Sequence, residues 1–86
     1  MTAKEMFEKL GYEERKHEHY IKYIGKFFIS DWYNILFDLE RKTIYPNITS
    51  DSPFTPVEPL EISVDLLQAI NKQVEELGWN KWNKKV

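Results

Sequence analysis

Cysteine is absent from this 86-residue chain, which excludes disulfide bonds, thiol catalysis and thiolate metal ligands together. Long apolar runs are absent too, so no stretch has the length and composition of a membrane-spanning helix. Twelve basic and 14 acidic residues give a net charge of −2, which provides no general attraction to phosphate or anionic lipid. Residues 1–16 lack the apolar core of a signal peptide. We therefore expect a cytosolic protein that does not bind membranes.

Glycine and proline are scarce, and their positions divide the chain. Two of the three glycines, Gly11 and Gly78, each stand between a leucine and an aromatic residue. Glycine just past a helix can adopt the left-handed conformation that satisfies the last carbonyls, so both positions predict helix ends. Three of the four prolines lie within residues 47–59, which have little periodicity. This stretch is predicted to be an irregular loop.

The segments that precede the two glycines have helical patterns. Thr2 and Glu5 have the spacing of a capping box, and Ser63 is a suitable N-cap for a second helix. We predict helices over about residues 2–10 and 63–77. The apolar stripe of the second helix consists of Leu66, Leu67, Ile70, Val74 and Leu77.

Aromatic residues are abundant, with five Phe, five Tyr and three Trp, and apolar residues alternate between positions 19 and 46. This alternation predicts strands over about 19–29, 33–38 and 43–46, and Pro46 marks the third as an edge strand. The charged residues 13–18 are predicted to form a loop, and residues 60–62 a short additional strand.

The first two strands can pair around a two-residue or a three-residue turn. The two-residue turn places Ile29 opposite Trp32 and leaves a polar residue on the apolar face. The three-residue turn keeps the apolar residues together, so we prefer it. It predicts the pairs Ile29–Tyr33, Phe27–Ile35 and Gly25–Phe37, with Ile44 opposite Phe37 in the third strand.

These elements predict a single α+β domain over residues 1–86. The order is helix, three antiparallel strands, a short strand and helix, followed by a basic tail over 79–86. With one sheet and two one-sided helices, both helices are expected to cover the same face. The face of Ile21, Tyr23, Phe27 and Ile35 is then the buried one.

The opposite face of the sheet is the leading candidate for a binding surface. Lys22, Lys26, Asn34 and Asp38 form its polar rim. An apolar patch inside such a rim is typical of a protein-binding surface, here for an unidentified partner or a second copy of the chain. In the alternative, the proline loop covers the patch with Phe54 and Val57. The candidate partner surface consists of Tyr20, Ile24, Phe28, Leu36 and Tyr45.

A second hypothesis is single-stranded nucleic-acid binding by the C-terminal tail. Tryptophans interleaved with lysines could stack on bases and neutralise phosphates. The more ordinary interpretation is an aromatic helix cap followed by a frayed basic end. The element order is similar to that of double-stranded RNA-binding domains, but residues 63–68 contain an acid and no base, so nucleic acid is the less favoured partner. The candidate contacts are Trp79, Lys81, Trp82, Lys84 and Lys85.

Catalytic and metal-binding motifs are weak. His17 and His19 would point to one side of an extended segment, but a third metal ligand cannot be identified from spacing. The sequence contains no Gly-rich phosphate loop and no G-x-S-x-G motif. We predict a protein that is not an enzyme and that binds neither a metal nor a cofactor.

Three segments resemble small uncharacterised proteins encoded by phages, prophages and other mobile elements of Gram-positive bacteria. They are MTAKEMFEKLGY (1–12), ILFDLERKT (35–43) and LQAINKQVEELGW (67–79). The group has no established activity, so the resemblance supplies no catalytic or binding residues. It implies an intracellular phage product that is non-essential or modulates the host, with an unidentified host or phage protein as its partner.

Overall fold

The computed structural model describes residues 1–28, 31–50 and 61–79 of the chain. The elements are α1 (Ala3–Lys9), β1 (Tyr12–Lys16), β2 (Tyr20–Phe28), β3 (Asp31–Asp38), β4 (Thr43–Ser50) and α2 (Val64–Glu76). The four strands form one antiparallel sheet in the order β1-β2-β3-β4. The predicted α+β class and the general helix–strand–helix order are confirmed.

Local capping sets the helix ends, as the sequence predicts. The Glu5 backbone N–H donates to Thr2 Oγ1 at 3.2 Å, and the Thr2 backbone N–H donates to Glu5 Oε1 at 2.8 Å. Ser63 caps α2 with its side chain alone, which accepts from the Leu66 backbone N–H at 3.1 Å. Gly11 and Gly78 have φ values of 90° and 77°, in the left-handed region that favours glycine.

The predicted inward stripe of α2 is wrong at Leu67, which is 47% exposed. Ala69 and Gln73 are buried instead, beside Leu66 and Ile70. The α2 helix packs against α1 as well as the sheet, and its buried Gln73 accepts a hydrogen bond from the Tyr23 hydroxyl of β2.

The predicted loop over residues 13–18 is wrong, because β1 occupies most of it and pairs with β2. Its sequence, YEERK, lacks the apolar alternation of a half-buried strand. Tyr12 supplies its buried contact, and Glu14 accepts a hydrogen bond from the Tyr23 hydroxyl at 3.1 Å. Charged side chains are common on strands at sheet edges, where they discourage aggregation.

The preferred register of β2 and β3 is also wrong, as is the two-residue alternative. The observed pairs include Ile21–Phe37, Tyr23–Ile35 and Gly25–Tyr33, and a β-bulge lies between Lys26 and Phe28. Gly25 therefore pairs with Tyr33, four residues before its predicted partner Phe37. An even displacement leaves the side chains of residues 20–26 and 32–38 on their predicted faces, so the assignment of faces survives the error in register as far as the bulge.

The final strand is longer than predicted. β4 runs to Ser50, so residues 47–50 belong to the sheet and not to the irregular loop. The predicted pairing of Ile44 with Phe37 and the edge position of Pro46 are confirmed. Residues 61 and 62 are not in a strand, and the strand that the described sheet adds to the three predicted ones is β1. Residues 51–60 lie outside the described part.

The core lies between one face of the sheet and the two helices, which confirms that both helices cover the same face. The Phe7 ring from α1 stacks on the Tyr23 ring from β2, with centroids 3.8 Å apart. The Tyr23 hydroxyl lies 2.5 Å from Oε1 of the buried Gln73 of α2. The buried cluster comprises Phe7, Tyr12, Ile21, Tyr23, Ile35, Phe37, Leu66, Ala69 and Ile70.

Candidate binding site on the outer face of the sheet

The sheet face opposite α1 and α2 is the candidate site, and we call it the outer face. Alternate residues of each strand point towards it, and the strand register aligns them in rows. One row contains Arg15, Lys22, Leu36 and Tyr45, one from each strand. The next contains Ile24, Asn34 and Asn47, and a third contains Lys26, Trp32 and Thr49.

Four of the five predicted partner residues lie together on the outer face. Leu36 and Tyr45 are direct cross-strand partners, and Tyr20 and Ile24 are the diagonal neighbours of Leu36 on β2. Tyr45 is 43% exposed, and the other three are half-buried. Phe28 ends β2, but its side chain lies outside the described part, so its place on this surface stays a prediction.

Trp32 is the important residue that the sequence reasoning does not identify. Its side chain is 36% exposed on the outer face, and Lys26 Nζ lies 5.9 Å from the centroid of its ring. The three-residue turn predicted for residues 30–32 removes Trp32 from the strand. The alternation of Trp32, Asn34 and Leu36 is the signal that could have placed it.

A groove of about 340 Å³ opens on the outer face beside Trp32. Its floor contains Asn34, which is buried, with Nδ2 donating to Thr49 Oγ1 at 2.7 Å and to the Trp32 carbonyl at 3.3 Å. The first of these bonds ties β3 to β4, and together they fix the polar part of the floor. The lining residues are Arg15, Lys22, Ile24, Trp32, Asn34 and Thr49.

Both carboxylates of the outer face are engaged with neighbouring groups. Glu13 Oε1 lies 2.7 Å from Arg15 Nη1. Asp38 Oδ1 accepts hydrogen bonds from the backbone N–H groups of Glu40 and Arg41, each at 3.0 Å. Within the described residues, Lys22 has no ion-pair partner, so it contributes an uncompensated positive charge at the centre of this face.

Tyr45 lies beside hydrogen-bond donors at the edge of the outer face. The Thr43 hydroxyl and then the Arg41 guanidinium hold the pKa of the Tyr45 phenol below its ordinary value, because both stabilise the phenolate. The lowered pKa makes the Tyr45 hydroxyl a stronger hydrogen-bond donor. Aromatic side chains with one polar end are frequent contact residues in protein interfaces.

The two histidines make different contacts. His17 stacks on Tyr20 with ring centroids 4.3 Å apart, whereas His19 Nδ1 lies 2.7 Å from Glu40 Oε1. Across residues 1–28, 31–50 and 61–79, no group of three or more His, Cys, Asp or Glu side chains could hold a metal ion. Within the described part of the chain, the two histidines thus have no third residue with which to hold a metal ion.

Of the predicted nucleic-acid contacts, Trp79 lies within the described residues. It is half-buried and packs against Phe37, with ring centroids 6.3 Å apart. Its backbone N–H donates to the Val74 carbonyl at 3.0 Å, as expected for a residue that closes a helix end. Lys81, Trp82, Lys84 and Lys85 lie outside the described residues.

A second cavity, of about 450 Å³, lies between the end of α1 and the segment that precedes α2. Burial, and then the neighbouring Tyr33, raise the pKa of the Tyr12 phenol on its wall to about 12, so this group remains protonated at neutral pH. The Ser63 hydroxyl on the same wall accepts from the Leu66 N–H at 3.1 Å. Both groups have structural roles in the fold.

The chain matches no protein-family model, no curated protein and no solved structure. No helix in the described part is long and apolar enough to cross a membrane. The functional assignment therefore depends on the surface of this chain itself, and the outer face is its most distinctive feature.

Proposed function

We propose that this chain is a non-catalytic protein-interaction module that binds its partner through the outer face. The observation that carries this proposal is the exposure of Trp32 and Tyr45 beside Leu36, on the sheet face that the two helices leave open. A solvated sheet face ordinarily carries polar side chains. Tryptophan, tyrosine and arginine are enriched at protein interfaces and dominate their binding energy.

The edges of the sheet are less suited to association than its outer face. β1 is short and carries four charged residues, and Pro46 near the middle of β4 has no N–H to donate to an added strand. Both features reduce pairing between sheet edges. A partner is therefore expected to cover the side chains of the face instead of extending the sheet.

The chemistry of the groove supports binding without catalysis. Its lining offers two cationic side chains, an amide, a hydroxyl, an isoleucine and an indole. General acid–base catalysis usually relies on a histidine or a carboxyl group held beside the substrate. The groove residues resemble a recognition surface more closely than a reaction centre.

The resemblance to phage and prophage proteins gives the proposal its biological setting. We propose that the chain acts inside a Gram-positive host as a product of a mobile element. Its partner would be a host or phage protein, and a second copy of the chain is the alternative partner.

A pull-down with matched variants tests the proposed surface. Tagged wild-type protein, a Trp32→Thr/Tyr45→Thr variant and a Val64→Ser/Leu67→Gln control are incubated with lysate of a Gram-positive host, with and without nuclease treatment. The control also removes two exposed apolar side chains, but from α2 instead of the outer face. Thermal unfolding followed by circular dichroism verifies that each variant is folded.

We expect one protein to be recovered by the wild type and the control but not by the outer-face variant. Equal recovery by all three would show that the outer face does not bind it. Loss in the control alone would move the interface to α2. Recovery that requires intact nucleic acid would favour the hypothesis of single-stranded nucleic-acid binding.

A further inference from the structure

We infer that the groove beside Trp32 receives an acidic side chain of the partner protein together with an adjacent apolar one. This inference rests on the proposed function of the outer face and specifies the chemistry of its partner. The groove is cationic on the side of Lys22 and Arg15 and apolar on the side of Ile24 and Trp32.

Charge complementarity favours an acidic partner. Among the described residues, no carboxylate lines the groove, and the Glu13 carboxylate on the same face already pairs with Arg15. Lys22 lies between Arg15 and Leu36 in its row, and Lys26 lies over the Trp32 ring. A carboxylate that approaches the groove therefore meets Lys22 without competition from a described acidic neighbour. Such complementarity determines partner choice and accelerates encounter.

The apolar side of the groove requires a second contact beside the carboxylate. The Trp32 indole and the Ile24 side chain provide apolar surface, which a purely ionic ligand would leave uncovered. An aliphatic or aromatic side chain of the partner would remove this surface from water. Acidic and apolar residues close together in one peptide satisfy both halves of the groove.

A second copy of the chain and a nucleic acid each fit less well. A second copy that docks by its own outer face would present Lys22 and Lys26 to the same cations. A nucleic acid would neutralise its phosphates on the cationic side but would not require the apolar side of the groove. These occupants are distinguished as outcomes of the experiment below.

The experiment selects ligands from a library of short random linear peptides with the full-length protein as bait. We expect the selected peptides to be enriched in Asp or Glu close to Leu, Ile, Phe or Trp, with affinity that falls as salt is raised. Lys22→Glu is expected to weaken these peptides by about tenfold or more, whereas Lys22→Gln should have a smaller effect of the same sign.

Two comparisons make the assignment specific. Lys4→Glu, an equal charge change on the exposed side of α1, should leave peptide affinity unchanged. When the selection is repeated with the Lys22→Glu variant as bait, the selected peptides should carry Lys or Arg at the position where the wild type selects Asp or Glu. Circular dichroism confirms that these variants remain folded.

The contrary outcomes separate this inference from the proposed function. Peptides without acidic enrichment that are lost with Trp32→Thr would overturn the acidic chemistry but leave the outer face as a protein-binding surface. Binding of an oligo(dT) probe that Lys22→Glu abolishes, with no peptide selected, would overturn both. A dimer in sedimentation that Trp32→Thr dissociates would identify a second copy as the occupant and overturn the inference. No selected peptide of any kind would overturn it as well.

Discussion

Gly25 of β2 pairs with Tyr12 of β1, and the Tyr12 ring lies directly against it. A Cβ atom at this position would lie 3.1 Å from two ring carbons of Tyr12, which is buried against β2 from the neighbouring strand. The absence of a side chain therefore gives the Tyr12 ring its place in the core. The requirement is steric and depends on a residue 13 positions away in the chain.

Gly25→Ala is expected to lower the free energy of unfolding by about 1–3 kcal/mol, because the added methyl overpacks this contact. Urea denaturation of the two proteins measures the difference. In a Tyr12→Ala background the same substitution should cost much less, because the ring is gone. Equal costs in both backgrounds would show that the ring contact is not the cause.

Tyr23 joins three elements at the centre of the molecule. Its ring stacks on Phe7 of α1, and its hydroxyl lies within hydrogen-bonding distance of Gln73 of α2 and Glu14 of β1. Tyr23→Phe keeps the stacking but leaves the buried Gln73 oxygen without this donor. We expect a loss of about 1–3 kcal/mol in the free energy of unfolding, measured by urea denaturation. A neutral result would show that water replaces the hydroxyl.

The buried tyrosines also predict a loss of stability at high pH. Burial, and then the charge of Glu14, raise the pKa of Tyr23 above its ordinary value, and burial raises that of Tyr12 to about 12. Their stabilising effect is complete below the pKa of the unfolded chain, about 10, and is lost as the pH rises towards the folded values. The free energy of unfolding should fall above about pH 10 by about 1.4 kcal/mol per pH unit for each tyrosine.

Urea denaturation across this pH range, with wild type and Tyr23→Phe, measures the effect. The variant should retain the contribution of Tyr12 and show a shallower decline. An identical slope in both proteins would contradict a raised pKa of Tyr23.

At the scale of elements, α1 is too short to be stable in isolation, and α2 supports its first turn. The helix has seven residues, whereas isolated helices in water need roughly 12 or more. The Ala3 N–H donates to Glu76 Oε2 at 2.7 Å, so the last turn of α2 satisfies a free donor at the start of α1. The capping box and this bond together specify where α1 begins.

Glu76→Ala should destabilise the protein by about 1–2 kcal/mol and increase amide hydrogen exchange in α1, because it removes a charge-assisted bond at the helix N-terminus. Glu75→Ala is the control, since Glu75 only pairs with Lys72 at 3.6 Å on the surface and should change stability by less than about 0.5 kcal/mol. Mass spectrometry of exchanged peptides reports on α1. Similar effects of the two substitutions would exclude a special role for Glu76.

The two helices and the β1 strand differ in how far local sequence specifies them. The α1 and α2 boundaries follow from capping residues and glycines within a few positions of each end. The YEERK segment is a strand because Tyr12 packs on Gly25 of β2 and Glu14 accepts a hydrogen bond from Tyr23 of β2. Neither contact produces an alternation of apolar and polar residues in the sequence. A charged strand is therefore visible only once its neighbour in the sheet is known.

At the scale of the whole molecule, the sheet buries one face and exposes the other. Adjacent residues of β3 point to opposite faces of the sheet. Ile35 is fully buried under the helices, and Leu36 is half-buried on the outer face. The surface proposed for binding thus belongs to the same strands that form the core.

Ile35→Ala is expected to cost about 2–5 kcal/mol of stability, whereas Leu36→Ala should cost less than about 1.5 kcal/mol and act mainly on partner binding. Chemical denaturation of the free protein measures both. A cost for Leu36→Ala as large as that for Ile35→Ala would show that the outer face is part of the core of the monomer.

The sequence by itself determines the helix ends, the alternation that assigns residues of β2 and β3 to two faces, and the edge position of Pro46. These features depend on contacts within a few residues or on a period of two, which survives a displacement by four residues. The tertiary structure alone decides the register, the strand identity of residues 12–16, the exposure of Leu67 and the groove beside Trp32. Each of these depends on side chains distant in the chain, such as the Tyr12 ring over Gly25 and α1 against α2, whose packing local patterns do not encode.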